Sequence, residues 1–201
     1  MATPYALNKK TIAVLVPIKD FRHAKNRLSN RLDASERESL ARTMARQVLE
    51  AAEGFSIHVV CDSEEVAVWA KSVGAEVIAV TQPGLNAAIT EAMFEIADKF
   101  THAIIVHADL PHAKSLDGIA SPNAVSIVPD RHGRGTNVLS LPTGTPFKFH
   151  YGDGSLFSHM DEAISQGLDL KVLQIPELQW DVDTPEDLDG VADPSTSDLL
   201  R

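Results

Sequence analysis

Two patterns of hydrophobic and polar positions alternate along most of the chain, and they predict strands and helices in turn. Short runs of consecutive apolar, often β-branched residues are typical of strands buried in a parallel sheet. Segments with apolar residues three or four positions apart are typical of amphipathic helices that pack on such a sheet. The first half of the chain has strands predicted at 11–17, 57–61, 76–80 and 103–106, and helices at 33–54, 63–73 and 85–100.

The second half is less regular but contains the same kinds of segment. Strands are predicted at 124–128, 137–141 and 170–175, with a helix at 155–166 and a short helix within 180–189. Strands and helices that alternate with short connections imply one α/β domain, with a mostly parallel, partly mixed central sheet flanked by helices. The prediction is a single domain over 1–189 and a flexible, acidic C-terminal tail over 190–201.

Ligands of such sheets bind at the carboxyl ends of the strands. The loops that follow the first, third and fourth predicted strands therefore carry the most weight as binding loops. They span residues 18–28, 81–86 and 109–111.

Charge separates one of these loops from the rest of the chain. The 201 residues include 18 Lys and Arg against 28 Asp and Glu, a formal net charge of −10, which disfavours nucleic acids and anionic membranes as partners. Yet five of the cations fall between Lys19 and Arg31, with Asp20 as the only acid among them. Neither a G-x-G-x-x-G nor a G-x-x-x-x-G-K-[ST] motif is present, so the candidate phosphate ligands are the cations of this loop, Lys19, Arg22, Lys25 and Arg27. The alternative is a solvated basic helix start.

Composition also bears on the compartment. No apolar run reaches the roughly 20 residues of a membrane span, and residues 1–10 lack the apolar core of a secretion signal. The single cysteine, Cys61, excludes an intrachain disulfide and a thiolate zinc cluster and is expected in the core. A soluble cytoplasmic protein is expected.

Two acidic segments are candidate metal ligands. Asp109 ends the fourth predicted strand, and Asp181 and Asp183 stand at alternate positions, so their side chains face the same way if the chain is extended. With Asp109, they can form a carboxylate site that holds Mg²⁺ against a nucleotide phosphate. The alternative for both segments is helix capping. His107 can be a metal ligand, although a structural role is the more common one.

Two glycine-containing loops are candidates for binding a second anion. Residues 133–137 and 151–155 each end in polar residues, and the second loop opens a predicted helix, whose first N–H groups favour an anion. Either loop can instead be a plain turn.

Taken in order, these motifs resemble one known family. They are Val16-Pro17-Ile18-Lys19, Ala24-Lys25-Asn26-Arg27-Leu28, Gly84-Leu85-Asn86, Ala108-Asp109-Leu110-Pro111, Gly135-Thr136-Asn137, Tyr151-Gly152-Asp153-Gly154-Ser155 with His159, and Asp181-Val182-Asp183-Thr184-Pro185-Glu186-Asp187-Leu188. The ordered set is similar to the 2-phospho-L-lactate guanylyltransferase family (CofC/FbiD). The resemblance implies a nucleotidyltransferase fold of the GT-A, Rossmann-like type.

The same resemblance implies an activity. It is transfer of GMP from GTP to 2-phospho-L-lactate, phosphoenolpyruvate or 3-phospho-D-glycerate, with release of pyrophosphate, and the product passes to a downstream transferase in coenzyme F420 biosynthesis. By resemblance, Thr136, Gly152 and Ser155 hold the phospho-acid, and Asp109 and Asp183 bind Mg²⁺. The histidines at 102, 107 and 112 depart from the family pattern and leave the acceptor open.

The remaining roles follow from residue types. Lys19, Lys25 and Arg27 are expected to stabilise the charge that moves onto pyrophosphate. Within the 82–86 loop, Gln82, Gly84 and Asn86 are the candidates for binding guanine.

Three rival classes stay open at this point. Nucleotidyltransferases of the molybdenum-cofactor type have a glycine-rich Leu-Ala-Gly-Gly sequence near their start. Residues 14–20 of this chain lack it. A sugar-phosphate transferase would have a D-x-D motif after a central strand. The corresponding residues of this chain, 109–111, include only one acid. A non-catalytic nucleotide-binding module would tolerate loss of a metal-binding acid.

Overall fold

One seven-stranded sheet organises the chain. The computed structural model describes residues 7–191. Its strands are β1 Ile12–Pro17, β2 Ser56–Cys61, β3 Glu76–Ala79, β4 His102–Val106, β5 Ala124–Pro129, β6 Thr136–Pro142 and β7 Asp169–Val172. They lie in the order β3-β2-β1-β4-β6-β5-β7. Within the described chain, β6 alone runs against its neighbours β4 and β5, so the sheet is mostly parallel and partly mixed, as predicted.

Helices cover both faces of this sheet. They are α1 Ala34–Ala51, α2 Glu64–Ser72, α3 Leu85–Ile96, α4 Ser155–Ser165 and α5 Pro176–Gln179. One buried cluster joins the sheet to α1, α2 and α5, and a second joins it to α3 and α4. Four short 3₁₀ helices complete the elements of the described chain, at Lys9–Thr11, Phe21–His23, Asn26–Leu28 and Pro185–Gly190.

The first long helix begins where the capping signal predicts. Asp33 accepts a hydrogen bond from the backbone N–H of Glu36 (2.9 Å), and the Glu36 carboxylate accepts one from the backbone N–H of Asp33 (2.7 Å). This reciprocal pair satisfies two N–H groups that the first turn leaves free. It therefore fixes the point at which the basic loop after β1 ends.

Several predicted bounds differ from the structure, and two of these differences have a clear physical reason. The helix predicted to reach residue 100 ends at Ile96, where the carbonyl accepts from both Lys99 and Phe100 in a closing turn. The strand predicted over 170–175 ends at Val172, and α5 begins at Pro176. Proline lacks the N–H a strand would need but fits the first position of a helix, which the hydrophobic pattern alone did not show.

The end of the described chain is packed. Val191 is fully buried in a small cluster with Leu28, Met44 and Leu188. The rest of the predicted tail, 192–201, lies outside the described residues. No helix in residues 7–191 is long and apolar enough to cross a membrane.

Candidate active site

A cleft of about 520 Å³ opens at the carboxyl ends of β1 to β4. The three loops predicted from the strand order meet there, which is the usual place for a ligand in this kind of sheet. Six of the candidate residues line the cleft: Lys19, Lys25, Gln82, Gly84, Asp109 and Asp183. His107 also lies in its wall.

Lys25 forms the centre of the charged part of the cleft. Its ammonium lies 2.5 Å from Oδ2 of Asp109 and 3.0 Å from Oδ1 of Asp183. The backbone of Lys25 is left-handed (φ 54°), a conformation that is uncommon for a residue with a side chain. Burial alone would lower the pKa of Lys25, but Asp109 and Asp183 outweigh it and raise that pKa to about 12. Lys25 is therefore a cation held between two carboxylates.

The two carboxylates belong to segments that are joined through the backbone. The carbonyl of Asp109, just after β4, accepts a hydrogen bond from the N–H of Val182 at 3.2 Å. Burial tends to raise the pKa of Asp109, but the charge of Lys25 lowers it below its ordinary value. Burial, together with Asp109 and Asp183, raises the pKa of Asp181. Two acids therefore flank the ammonium of Lys25, and Asp181 lies close enough to both acids to be affected by their charge.

This arrangement fits a divalent cation that shares its ligands with a substrate. Oδ1 of Asp109 is buried and has no hydrogen-bond partner in the described chain, and the Lys25 ammonium lies where a positive charge is favoured. No group of three His, Cys, Asp or Glu in residues 7–191 is arranged to hold a metal by itself. Mg²⁺ commonly takes one or two carboxylates and completes its shell with phosphate and water. Asp109 and Asp183 suit that role.

A buried acid supports the loop that carries Asp183. The Asp187 carboxylate accepts hydrogen bonds from the backbone N–H groups of Asp183 (2.8 Å) and Thr184 (2.6 Å) and pairs with Arg131. The Arg131 guanidinium in turn lies 4.1 Å from the Trp180 ring centre. The sequence analysis missed Arg131 and Asp187 as supports. The available signal was the spacing of Thr184 and Asp187, which is that of a capping box.

Arg27 lies at the edge of the charged group. Its guanidinium is 3.9 Å from Oδ2 of Asp183, and three quarters of its side chain is exposed. Arg27 therefore faces solvent beside the cleft, where it can reach an anion that enters.

The two candidate acceptor loops lie against each other. The N–H of Leu156 donates to the carbonyl of Arg134 at 3.0 Å, and the Arg134 guanidinium lies 2.5 Å from the Asp153 carboxylate. Thr136 and Ser155 are both almost fully buried at this junction. The first two N–H groups of α4 already have protein acceptors, so the start of this helix offers an anion fewer free donors than the sequence alone suggested.

Glycine sets the path of the second loop. Gly152 has φ 134° and Gly154 has φ 71°, both in the region that side chains disfavour. The chain can therefore turn sharply into α4, whose first residue is Ser155.

Aromatic rings connect the cleft to this junction. The Tyr151 ring centre lies 5.4 Å from that of His107 and 4.8 Å from that of His159. Oη of Tyr151 and Nε2 of His107 are buried without a hydrogen-bond partner among the described residues. Buried polar atoms normally have partners, so these two atoms mark a place where a ligand could supply them.

The three residues of the proposed guanine loop differ in position. Gln82 and Gly84 line the cleft, whereas Asn86 is not part of its wall. The Asn86 side chain accepts from the N–H of Tyr151 (2.7 Å) and donates to its carbonyl (3.1 Å). Asn86 thus anchors the second acceptor loop. Cys61 is buried in the cleft wall, and burial raises the pKa of its thiol.

The chain is an α/β protein with a mixed sheet, and its cleft brings Lys25 together with Asp109 and Asp183 at the strand ends. Among solved structures, a candidate nucleotide-diphospho-sugar transferase from Desulfovibrio desulfuricans G20 superposes with a TM-score of 0.73 at 16% identity, covering 96% of this chain and 94% of that one. A nucleotidyl transferase from Methanothermobacter superposes with a TM-score of 0.61 at 14% identity, covering 90% and 95%. These likenesses show the fold.

Sequence comparison is more specific. Residues 12–192 match the family described as "Guanylyl transferase CofC like". A phosphoenolpyruvate guanylyltransferase from Roseiflexus castenholzii is 36% identical over 87% of this chain and 84% of its own length. A 2-phospho-L-lactate guanylyltransferase from Methanocaldococcus jannaschii is 33% identical over 87% of this chain and 80% of its own. The chain belongs to the CofC-like guanylyl transferase family, and the predicted resemblance is confirmed.

Proposed function

We propose that this protein transfers GMP from GTP to a small phosphorylated carboxylic acid and releases pyrophosphate. The observation that carries the proposal is the Lys25 ammonium between Asp109 and Asp183 in the wall of the cleft. Such a group of charges is suited to a triphosphate and its metal ion. The names of the relatives from Roseiflexus castenholzii and Methanocaldococcus jannaschii support the reaction.

The reaction needs charge control rather than an activated side chain. An oxygen of the acceptor phosphate forms a bond to the α-phosphorus of GTP. The bond from that phosphorus to the oxygen bridging to the β-phosphorus breaks, and pyrophosphate leaves with the electron pair. Because the attacking oxygen is already an anion, no serine or cysteine nucleophile is required.

The residues around the cleft would have two different roles, metal binding and phosphate binding. Asp109 and Asp183 would hold Mg²⁺, which when bound neutralises phosphate charge and aligns the α-phosphate. Lys25 and Lys19 line the cleft and are placed to bind the departing phosphates, with Arg27 at its rim. Lys25 is paired in this structure, so it would turn from the carboxylates towards GTP.

The base and the acceptor occupy opposite ends of the site in this proposal. Gln82 and Gly84 line the cleft and would contact guanine. Thr136, Gly152 and Ser155 would bind the phospho-acid, and His107 lies between the two ends. The acceptor is 2-phospho-L-lactate, phosphoenolpyruvate or 3-phospho-D-glycerate, which share a phosphate and a carboxylate on a three-carbon chain.

The product would carry a diphosphate bond between the acid and guanosine. A downstream transferase can use that bond to donate the acid, which suits a step in coenzyme F420 biosynthesis. The one cysteine is buried and the fold needs no disulfide, which suits a reducing cytoplasm.

The test is pyrophosphate release by the purified protein with Mg²⁺, each of the three acids and each of GTP, ATP, CTP and UTP. We expect release with GTP and at least one acid. Absence of release with every acid would refute the proposal.

A pair of variants tests the acidic centre in the same assay. Asp109→Asn should lower turnover by about 100-fold or more, because loss of metal-centred charge stabilisation costs several kcal/mol. Asp189→Asn removes the same charge from an exposed surface pair with Arg31 and should leave turnover unchanged. Melting temperatures of both variants report folding. Full turnover by a folded Asp109→Asn protein would remove this acid from the metal site.

A further inference from the structure

Both ring nitrogens of His159 are occupied inside the protein. His159 lies on α4 and is fully buried. Its Nδ1 is 3.0 Å from Oγ1 of Thr136, and its Nε2 is 3.0 Å from the backbone nitrogen of His150. The Tyr151 ring packs edge-on against it, and the Phe147 ring lies 5.9 Å away, so the imidazole cannot turn freely.

These contacts fix where the imidazole hydrogen is. A backbone N–H can only donate, so Nε2 of His159 accepts from His150 and carries no hydrogen. A neutral imidazole has one N–H, which must then be on Nδ1. Nδ1 therefore donates, and Oγ1 of Thr136 accepts. Burial supports the neutral form, because it lowers the pKa of His159 to about 4.

The hydroxyl hydrogen of Thr136 is left to point elsewhere. Oγ1 of Thr136 has no hydrogen-bond partner other than His159 in the described chain, so no protein group there accepts that hydrogen. Thr136 is 1% exposed, so water does not readily take it either. A buried hydroxyl with a fixed lone pair and an unused hydrogen is a preorganised donor.

We propose that His159 is a positioning residue that directs the Thr136 hydroxyl as a hydrogen-bond donor towards the phospho-acid. This inference rests on the proposed function, which places the acid at Thr136. An independent observation points to the same region: Tyr151, whose ring touches His159, has a buried hydroxyl with no partner in residues 7–191. The anionic acid would supply acceptors for such donors.

Two substitutions separate the two hydrogen bonds of His159. His159→Asn keeps an amide nitrogen near the place of Nδ1 and can still donate to Thr136. His159→Gln reaches the place of Nε2, where its carbonyl can accept from His150, but it leaves Thr136 without a donor. We expect KM for the acid to rise about tenfold in His159→Gln and less than threefold in His159→Asn, with KM for GTP unchanged in both.

A double-mutant cycle with Thr136→Val tests whether His159 acts through the hydroxyl. Once the hydroxyl is absent, His159→Gln should add no further loss, because the two groups work as one unit. Additive losses would overturn the proposal. So would equal rises in KM for acid and GTP, which indicate a purely structural role.

The tautomer is measured without any activity. In ¹⁵N-labelled wild-type protein, the histidine nitrogen shifts should show hydrogen on Nδ1 of His159 and none on Nε2 at pH 7. Hydrogen on Nε2 would overturn the proposal even if no variant folds. If wild-type protein transfers GMP to no phospho-acid, the proposed function and the role of His159 are both overturned. If wild-type protein is active but the losses from His159→Gln and Thr136→Val are additive, only the role of His159 is overturned.

Discussion

The same buried imidazole makes stability depend on pH. In the folded protein, the pKa of His159 is lowered by burial to about 4 from its ordinary value of 6.5. Between these values the unfolded chain binds a proton at this position and the folded chain does not. Acidification therefore favours unfolding, and the contribution of His159 is fully present above about pH 6.5 and is lost as the pH falls towards 4.

The magnitude follows from the separation of the two pKa values. They differ by about 2.5 pH units, and each unit corresponds to about 1.4 kcal/mol, so the full shift corresponds to about 3.5 kcal/mol. About 3 kcal/mol of this stability should be lost between pH 7 and pH 4, because the folded imidazole is half protonated at pH 4. Substitution by glutamine, which does not titrate, removes this dependence. Burial also lowers the pKa of His58 and His102. Wild type and the glutamine variant both contain these two histidines, so their effects cancel when the free energies of unfolding of the two proteins are subtracted.

The assay is urea unfolding of wild type and His159→Gln at intervals from pH 4 to 7.5. At pH 7 the variant should be less stable, because it loses the contact with Thr136. As the pH falls to 4, the difference in free energy of unfolding should shift by about 3 kcal/mol in favour of the variant. A difference that stays constant across this range would show that the folded imidazole titrates normally and would refute the assignment.

Three further variants test particular contacts. Asn86→Ala removes both hydrogen bonds to the Tyr151 backbone and should raise KM for the acid about tenfold, while the preference for GTP over ATP stays intact. Loss of that preference in steady-state kinetics would instead show that the Asn86 amide binds guanine. Tyr151→Phe should leave the free energy of unfolding unchanged or raise it by up to about 1 kcal/mol in urea, because the hydroxyl it removes has no partner in the described chain; a larger loss would reveal a partner. A Cβ at Gly190 would lie 2.0 Å from the Trp180 ring, so Gly190→Ala should cost about 1–3 kcal/mol in the same assay, whereas Gly144→Ala, with no atom within 4 Å of its Cβ, should cost little; equal stabilities would show that the indole can move aside.

The sequence by itself determined the order and type of most elements, because these depend on local patterns. The apolar run over 11–17, with its β-branched residues, favours a strand buried between covered faces. Asp33 and Glu36, three residues apart, cap the following helix. Short connections then dictated a mostly parallel sheet, and its strand ends indicated which loops form the cleft. The position of Asp109 after a strand, in the wall of the cleft, followed from the same reasoning.

Only the tertiary structure decided which of those residues meet. Lys25 lies between Asp109 and Asp183 because its left-handed turn and the contact from Val182 to Asp109 bring three distant segments to one edge of the sheet. Such meetings depend on packing across long sequence separations, which no local period records.

The acceptor end depended on the fold even more strongly. Strand β6 enters antiparallel between β4 and β5, and this placement puts Thr136 at the strand end that faces His159 on α4. The sequence showed a threonine after glycine and a histidine in a helix, but their hydrogen bond is set by strand order and helix packing. Packing likewise decided the partner of Asn86. The sequence suggested that Asn86 binds guanine, whereas in the structure its side chain forms hydrogen bonds with the backbone of Tyr151. Residue types and spacing determined the chemistry available to this protein, and long-range packing decided the partner of each group.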